Sequence, residues 1–331
     1  MTMKSRNLGA GLGAVSAIGL GCMGMSEFYG PADKTQSLAT LEHAFDKGIT
    51  FFDTADTYGL GRNEELLSSF LARHRDKVTL ATKFGIVREG PLADRRIDNT
   101  ATYMVRACEA SLKRLAIEKI DLYYAHRLNP AAPVEDTVGA MAELVKQGKV
   151  RGLGLSEVSP DTLRRAHAVH PIAAVQSEYS LWSRDPENGI LQTCKELGIA
   201  FIPYSPLGRG FLTGKIRSVE TMAPDDFRRT SQPRFERANL DKNLLMVDKI
   251  TRLANVKGCT SAQLALAWIL AQGDHIIPIP GTRTERYVDE NIAAAMISLT
   301  KTDLDILNQI CEKHEVIGER YTSEGMSHLN L

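Results

Sequence analysis

The feature that most constrains the fold of this chain is a regular alternation of short apolar runs with longer helical patterns. Eight runs predict β-strands: Ala17–Gly21, Thr50–Asp53, Val78–Lys83, Asp121–His126, Val150–Ser156, Ala173–Ser177, Ala200–Tyr204 and His275–Ile279. The segments that follow them predict helices: Asp33–Lys47, Glu64–Arg73, Thr100–Leu115, Glu135–Gln147, Pro160–Val169, Pro186–Leu197, Ser261–Ala271 and Thr284–Ala294. Strands that alternate with helices in this way indicate a parallel sheet.

Eight such units in 331 residues, with no break in composition, predict an α/β fold of the (β/α)8 TIM-barrel type. We expect residues 1–331 to form one domain, with an N-terminal β-hairpin and two additional helices at Leu240–Asn255 and Lys301–His314. Segment 205–239 is long and partly basic, which predicts a lid over a ligand. Residues 315–331 form the predicted C-terminal tail.

A doubly wound sheet is the rival fold, because Gly19–Gly24 reads GxGxxG. In a dinucleotide-binding turn a helix begins within that motif, whereas here the breaker-rich Ser26–Pro31 follows it. In a barrel, these glycines would instead bring the backbone close to a ligand at the top of the first strand.

The composition limits the compartment and the partners. Lys4 and Arg6 precede the apolar run Leu8–Met25, which loosely resembles a signal peptide, but its six glycines favour a hairpin and a strand. The five cysteines lie far apart without a CxxC pair, which indicates a reducing, cytoplasmic location and no metal cluster. Lys plus Arg and Asp plus Glu both total 40, which argues against a nucleic-acid or membrane partner.

Four polar side chains follow three neighbouring strands of the predicted barrel. Asp53 ends the second strand and Tyr58 follows it, Lys83 ends the third strand and His126 ends the fourth. Taken alone, each could have a purely structural role. Asp53 could cap a turn and Tyr58 could line a wall, while Lys83 could form a surface ion pair and His126 could be a core histidine. Because active sites of barrels lie at the carboxyl ends of the strands, we expect all four at one mouth.

This set suits the reduction of a carbonyl group. The alkoxide that forms needs a proton, and Tyr58 can supply it if a nearby ammonium lowers its pKa. Lys83 would provide that charge and Asp53 would hold it in place, while His126 would donate a hydrogen bond to the carbonyl oxygen. No metal is required.

The chain resembles the aldo-keto reductases in five ordered motifs from about Lys4 to Glu312. The motifs are Phe52–Gly59, Ala81–Phe84, Tyr123–Arg127, Ile202–Gly210 and Ile279–Arg283. The resemblance implies NADPH-dependent reduction of aldehydes or ketones, with Asp53, Tyr58, Lys83 and His126 as the catalytic residues. Asn129 and Ala125 depart from the family pattern. These departures bear on the shape of the substrate that the site accepts and not on the hydride chemistry.

The resemblance also implies a site for NADP(H). Ser156, Gln176 and Glu157 would bond the nicotinamide carboxamide, and Tyr204 would stack on its ring. Thr282 and Arg283 would hold the 2′-phosphate at the start of a helix, with Arg286 as a possible helper, and Arg234 is the arginine of the lid expected to touch the cofactor. The remaining predicted contacts are Gly21, Met23, Ser205, Pro206, Leu207, Arg209, Gly210, Lys215, Gly281, Glu290 and Asn291.

The substrate itself is less constrained. Phe28, Tyr29 and Trp182 are candidate walls for a small aldehyde or ketone, although Phe28 and Trp182 could equally be packing residues. Two alternatives stay open: an NADPH-binding regulatory subunit such as the potassium-channel β-subunits, and a Schiff-base lyase that uses Lys83. The oligomeric state is left undetermined.

Overall fold

The structure, a computed structural model, describes residues 3–88, 95–224 and 226–331. Its strands, in chain order β1 to β11, are Ser5–Leu8, Gly13–Ser16, Leu20–Gly21, Phe51–Asp53, Thr79–Phe84, Ile86–Val87, Arg96–Ile97, Ile120–Ala125, Val150–Ser156, Ile172–Glu178 and Ala200–Tyr204. Seven of them form a parallel sheet in the order β3, β4, β5, β8, β9, β10, β11. The sheet curls into a nearly closed barrel, which confirms the predicted (β/α)8 fold and excludes the doubly wound alternative.

An extended segment in the position of the predicted eighth strand closes the barrel between β11 and β3. Its residue Ile277 donates a backbone hydrogen bond to the carbonyl oxygen of Phe201 (2.8 Å) on one side. On the other side, the amide of Gly19 in the chain before β3 donates to the carbonyl oxygen of Pro278 (2.9 Å). Pro278 and Pro280 face β3 without an N–H to donate, which explains why no regular ladder forms there.

Helices surround the barrel and follow the strands as predicted. In chain order, α1 to α12 are Lys34–Asp46, Arg62–His74, Ala101–Leu115, Val134–Lys146, Pro160–Val169, Ile190–Leu197, Phe227–Ser231, Arg237–Val256, Ser261–Ala271, Glu285–Ala293, Lys301–Lys313 and Ser323–Met326. The predicted helix over Pro186–Leu197 is shorter than expected, because Gly189 at φ +113° separates a short 3-10 turn from α6. No helix among the described residues is long and apolar enough to span a membrane.

The N-terminal hairpin of β1 and β2 packs against the interior of the barrel. Leu8, Leu12 and Val15 belong to one buried cluster with interior side chains such as Leu122 and Tyr124. The run that loosely resembles a signal peptide is therefore folded into the domain, as the hairpin interpretation predicts. A second small hairpin, β6 paired with β7, was not anticipated from the sequence and lies at the carboxyl end of β5.

Candidate active site

Polar side chains at the carboxyl ends of the barrel strands open into one cavity of about 490 Å³. Asp53 ends β4, Tyr58 lies in the 3-10 turn that follows, and His126 comes directly after β8. All three line the cavity. Lys83 of β5 is fully buried behind them. The structure thus brings the four predicted catalytic side chains together.

Lys83 is held by three oxygen atoms. Its Nζ lies 2.5 Å from Asp53 Oδ1 and 2.7 Å from the carbonyl oxygen of Thr54. The third oxygen is Tyr58 Oη, at 3.4 Å. The ammonium is therefore fixed by two short bonds and directed at the phenol by a longer one.

Asp53 and His126 complete the arrangement from opposite sides. Gln176 donates its side-chain amide to Asp53 Oδ2 at 2.8 Å, so the carboxylate is held at both oxygens. The rings of Tyr58 and His126 meet edge to face, with centroids 5.8 Å apart. His126 Nδ1 is buried and has no hydrogen-bond partner among the described residues.

The electrostatics assign a charge to each group. Burial lowers the pKa of Lys83, but Asp53 and Tyr58 raise it by more, so the ammonium stays charged. Burial, together with the charges of Lys83 and Arg127, holds the pKa of His126 well below its usual range, so the imidazole is neutral.

Tyr58 departs from the sequence-based expectation. Burial raises the pKa of Tyr58 and outweighs the lowering effect of Lys83. The sequence reveals the nearby ammonium but not the burial, so the direction of the pKa shift is opposite to the one predicted. A phenol with a raised pKa keeps its proton at neutral pH.

Most of the residues predicted to hold the cofactor line this cavity. They are Gly21, Met23, Ser156, Gln176, Tyr204, Ser205, Pro206, Leu207, Arg209, Gly210, Lys215, Gly281, Thr282, Arg283, Glu290 and Asn291. The predicted substrate residues Phe28 and Tyr29 line it as well. Residues from the carboxyl ends of many strands therefore share one long cleft.

Gly21 and Gly281 have a packing reason to be glycine. A Cβ on Gly21 would lie 2.8 Å from the carbonyl oxygen of Ile279, and one on Gly281 would lie 3.1 Å from the carbonyl oxygen of Gly21. The first strand and the closing segment can approach only because both side chains are absent. Gly21, one glycine of the GxGxxG match, thus allows the barrel to close together with Gly281.

One end of the cavity is cationic. Arg283 donates to the carbonyl oxygens of Pro31 (2.6 Å) and Tyr29 (3.0 Å), and Lys215 Nζ lies 3.8 Å from a carboxylate oxygen of Glu290. Thr284 precedes the first residue of α10, and its buried Oγ1 has no partner among the described residues. Positive charges, a free hydroxyl and a helix N-terminus together suit a phosphate group.

Besides Lys83 and the possible helper Arg286, three predicted site residues do not line the cavity. The carboxylate of Glu157 accepts hydrogen bonds from Tyr204 Oη (2.8 Å) and from the Arg320 guanidinium (3.2 Å). Arg234 donates to Gly318 and Ser183, so it holds the tail rather than facing the cleft. Trp182 packs against the rings Phe211 and Phe235.

The sequence reasoning missed the C-terminal tail as part of the site. Tyr321 lines the cavity, and its hydroxyl lies 2.8 Å from both Tyr204 Oη and an Arg209 nitrogen. Arg95, Arg127, Phe227 and Arg228 also line it without having been predicted. Only Arg127 lies in a quoted motif, Tyr123–Arg127, and the other contacts join segments far apart in the chain.

Arg320→Ala is expected to lower the free energy of unfolding by about 2 kcal/mol, because it leaves the Glu157 carboxylate buried without its cation. The loss is at the low end for a buried pair because Glu157 keeps two other donors, Tyr204 Oη and the amide of Glu178. Urea unfolding measures the change. Arg164→Ala, which breaks an exposed pair with Glu196, is the control and should cost under about 1 kcal/mol. Equal losses in the two variants would contradict this role.

The chain is similar to known proteins over most of its length. The model of the aldo/keto reductase family matches residues 17–312. Probable aldo-keto reductase 1 from Glycine max is 46% identical over 96% of this chain and 91% of its own length. Aldo-keto reductase yakc of Schizosaccharomyces pombe, whose name carries the label NADP(+), is 43% identical over 97% of this chain and 95% of its own.

The solved structures agree in fold. The structure of a glycerol dehydrogenase from Gluconobacter oxydans superimposes with a TM-score of 0.85 at 28% identity, covering 95% of this chain and 97% of the other. The family model alone spans far more than half of the 331 residues. This chain therefore belongs to the aldo/keto reductase family.

Proposed function

We propose that this protein is an NADPH-dependent oxidoreductase that reduces aldehydes or ketones to alcohols, with Tyr58 as the proton donor. The observation that carries the proposal is the buried contact between Tyr58, Lys83 and Asp53 beside His126 in one cavity. Family membership supports the reaction class. The label NADP(+) on the relative from Schizosaccharomyces pombe supports the cofactor.

The residues of the cavity fit this cofactor. Lys215, Arg283 and the unpartnered hydroxyl of Thr284 suit its phosphates, and the aromatic Tyr204 suits its nicotinamide ring. Ser156 and Gln176 present polar groups near the carboxyl ends of β9 and β10, where a carboxamide can be bound. When bound, NADPH supplies the hydride that the protein itself cannot provide.

The protein's own residues hold the proton and deliver it to the carbonyl oxygen. Tyr58 holds a proton at its Oη until negative charge develops on the carbonyl oxygen. The Lys83 ammonium, 3.4 Å away, stabilises the phenolate left behind, and Asp53 with Thr54 keeps that ammonium in place. The neutral imidazole of His126 can donate one hydrogen bond to the carbonyl oxygen and orient it.

We further propose that residues 1–331 work as one barrel domain. Segment 205–239 contributes Arg209, Lys215 and Phe227 to the cavity wall, which supports a role as a cover over the cofactor. The hydroxyl of the tail residue Tyr321 is hydrogen-bonded to that of Tyr204 in the cavity wall, which supports a role for segment 315–331 in shaping the site. The five free cysteines support a cytoplasmic location.

Arg283→Ala is expected to weaken NADPH binding by about tenfold or more and to leave NADH binding nearly unchanged, because only NADPH carries the 2′-phosphate. Fluorescence titration with both cofactors measures the two dissociation constants. Arg286→Ala removes the charge of a neighbouring arginine on α10 that does not line the cavity, and it shows whether the effect is specific to Arg283. An unchanged ratio of the two constants in Arg283→Ala would contradict the assignment.

Consumption of NADPH with a panel of aromatic and aliphatic aldehydes tests the function itself. Turnover of several carbonyl compounds is the expected result. Tight NADPH binding without turnover of any of them would favour the cofactor-binding regulatory subunit. Borohydride trapping of a carbonyl compound on Lys83 would favour the lyase.

A further inference from the structure

The arginines around the cavity differ in whether their charge is neutralised. Three arginines in or near the cavity wall have a carboxylate partner within the described residues: Arg88 pairs with Glu27, Arg209 with Glu178, and Arg228 with Asp226. Arg95 pairs with no carboxylate and donates no hydrogen bond within residues 3–88, 95–224 and 226–331, and it is exposed at the cavity mouth. Among the residues that the structure describes, the mouth therefore carries a guanidinium without a carboxylate partner.

Two aromatic rings hold Arg95 in position. Its guanidinium carbon lies 5.6 Å from the ring centroid of Phe28 and 5.9 Å from that of Phe227. The two rings meet edge to face at 5.2 Å. A guanidinium that packs against ring faces still presents its N–H edge, which matches the two oxygens of a carboxylate.

Arg95 belongs to the end of the cavity where the proton donor lies. It shares the cavity wall with Tyr58 and His126, and its charge is one of those that lower the pKa of His126. Arg127 adds a second guanidinium there, which donates to the His126 carbonyl oxygen and to Ser156 Oγ but to no described carboxylate. This excess of positive charge is distinct from Lys215 and Arg283, which suit the cofactor phosphates.

We propose that the enzyme prefers carbonyl substrates that carry an anionic group, and that Arg95, held by Phe28 and Phe227, binds that group. The inference rests on the proposed reductase function and specifies its substrate class. The anion would lie at the mouth while the carbonyl group reaches Tyr58 and His126. Arg127 adds long-range attraction from the same end.

Matched substrates test the proposal. We would measure kcat/KM for 4-formylbenzoate, for its neutral methyl ester and for 4-formylphenyl phosphate. The proposal predicts a higher kcat/KM for at least one of the two anions than for the ester. The anion with the higher value shows whether the site prefers a carboxylate or a phosphate. In Arg95→Gln, the kcat/KM for the anion divided by that for the ester is expected to fall by about 10- to 100-fold, the range of one charge-assisted hydrogen-bonding contact.

Controls separate specific binding from general charge. Arg95→Lys keeps the charge but loses the paired N–H donors of the planar guanidinium, so an intermediate ratio is expected. Arg106→Gln removes an equal charge from an exposed position on α3 and should leave the ratio unchanged. Because each ratio compares two substrates in one preparation, a loss of folded enzyme cancels.

Two failures would be distinguishable. Equal turnover of the ester and both anions by the unaltered enzyme, or an unchanged ratio in Arg95→Gln, would overturn the anion site and leave the reductase function standing. The absence of turnover with every carbonyl compound would overturn the proposed function, and the anion site with it.

Discussion

Tyr58→Phe is expected to lower kcat by about 10²- to 10⁴-fold, the usual contribution of a positioned general acid. The change removes only the hydroxyl that lies 3.4 Å from Lys83 Nζ. Binding of NADPH should persist, because the residues proposed to hold it are untouched. Steady-state kinetics and a fluorescence titration on the same preparation measure both effects.

Tyr29→Phe is the matched control for that experiment. Tyr29 lines the same cavity, and its substitution removes the same atom without breaking a bond to Lys83. Its kcat should change by less than about tenfold, as for a residue that lines the site without transferring the proton. A Tyr58→Phe enzyme that kept more than a tenth of the original kcat would contradict the role of Tyr58.

Lys83→Met is expected to abolish most activity and to lower the free energy of unfolding by about 3–5 kcal/mol at pH 7. Lys83 is fully buried, and its loss leaves the Asp53 carboxyl group without a cation and with Gln176 as its remaining side-chain donor among the described residues. Burial already raises the pKa of Asp53, and removing the lysine raises it further. Urea unfolding measures the change in stability.

The pH dependence of this variant has a definite sign. A carboxyl whose pKa is raised in the folded state binds more protons when folded than when unfolded, so folding becomes less favourable as the pH rises. The loss of stability in Lys83→Met should therefore be largest near neutral pH and shrink as the pH is lowered. The double variant Asp53→Asn/Lys83→Met removes both charges and should regain much of the stability without activity. A double variant as unstable as the single one would contradict the ion-pair explanation.

The barrel could be predicted because its sequence pattern, a strand followed by a helix, is local and is repeated along the chain. The strands Val150–Ser156 and Ala200–Tyr204 and the helices Pro160–Val169 and Ser261–Ala271 have the same bounds in the sequence prediction and in the structure. The closing segment was less regular than predicted, because its prolines cannot donate to one neighbour. The meeting of Asp53, Tyr58, Lys83 and His126 followed from the rule that barrel strands present their carboxyl ends at one mouth.

What sequence reasoning missed depends on contacts across the chain. Glu157 follows Ser156 directly, but its φ of +56° coincides with a side chain that bonds the tail instead of lining the cleft. Tyr321 reaches Tyr204 from a segment without any recognisable pattern. The net effect of burial on Tyr58 likewise required the three-dimensional environment, since the spacing of residues does not reveal how much water is excluded.

The most direct test of the central claim follows the reducing hydrogen itself. We would supply NADPH deuterated at the reactive position of the nicotinamide, let the enzyme act on an aromatic aldehyde and examine the alcohol by mass spectrometry. The account predicts an alcohol that carries one deuterium on the former carbonyl carbon, formed by the unaltered enzyme and at a greatly reduced rate by Tyr58→Phe. An enzyme that binds the deuterated cofactor but yields no labelled alcohol from any carbonyl compound would contradict it.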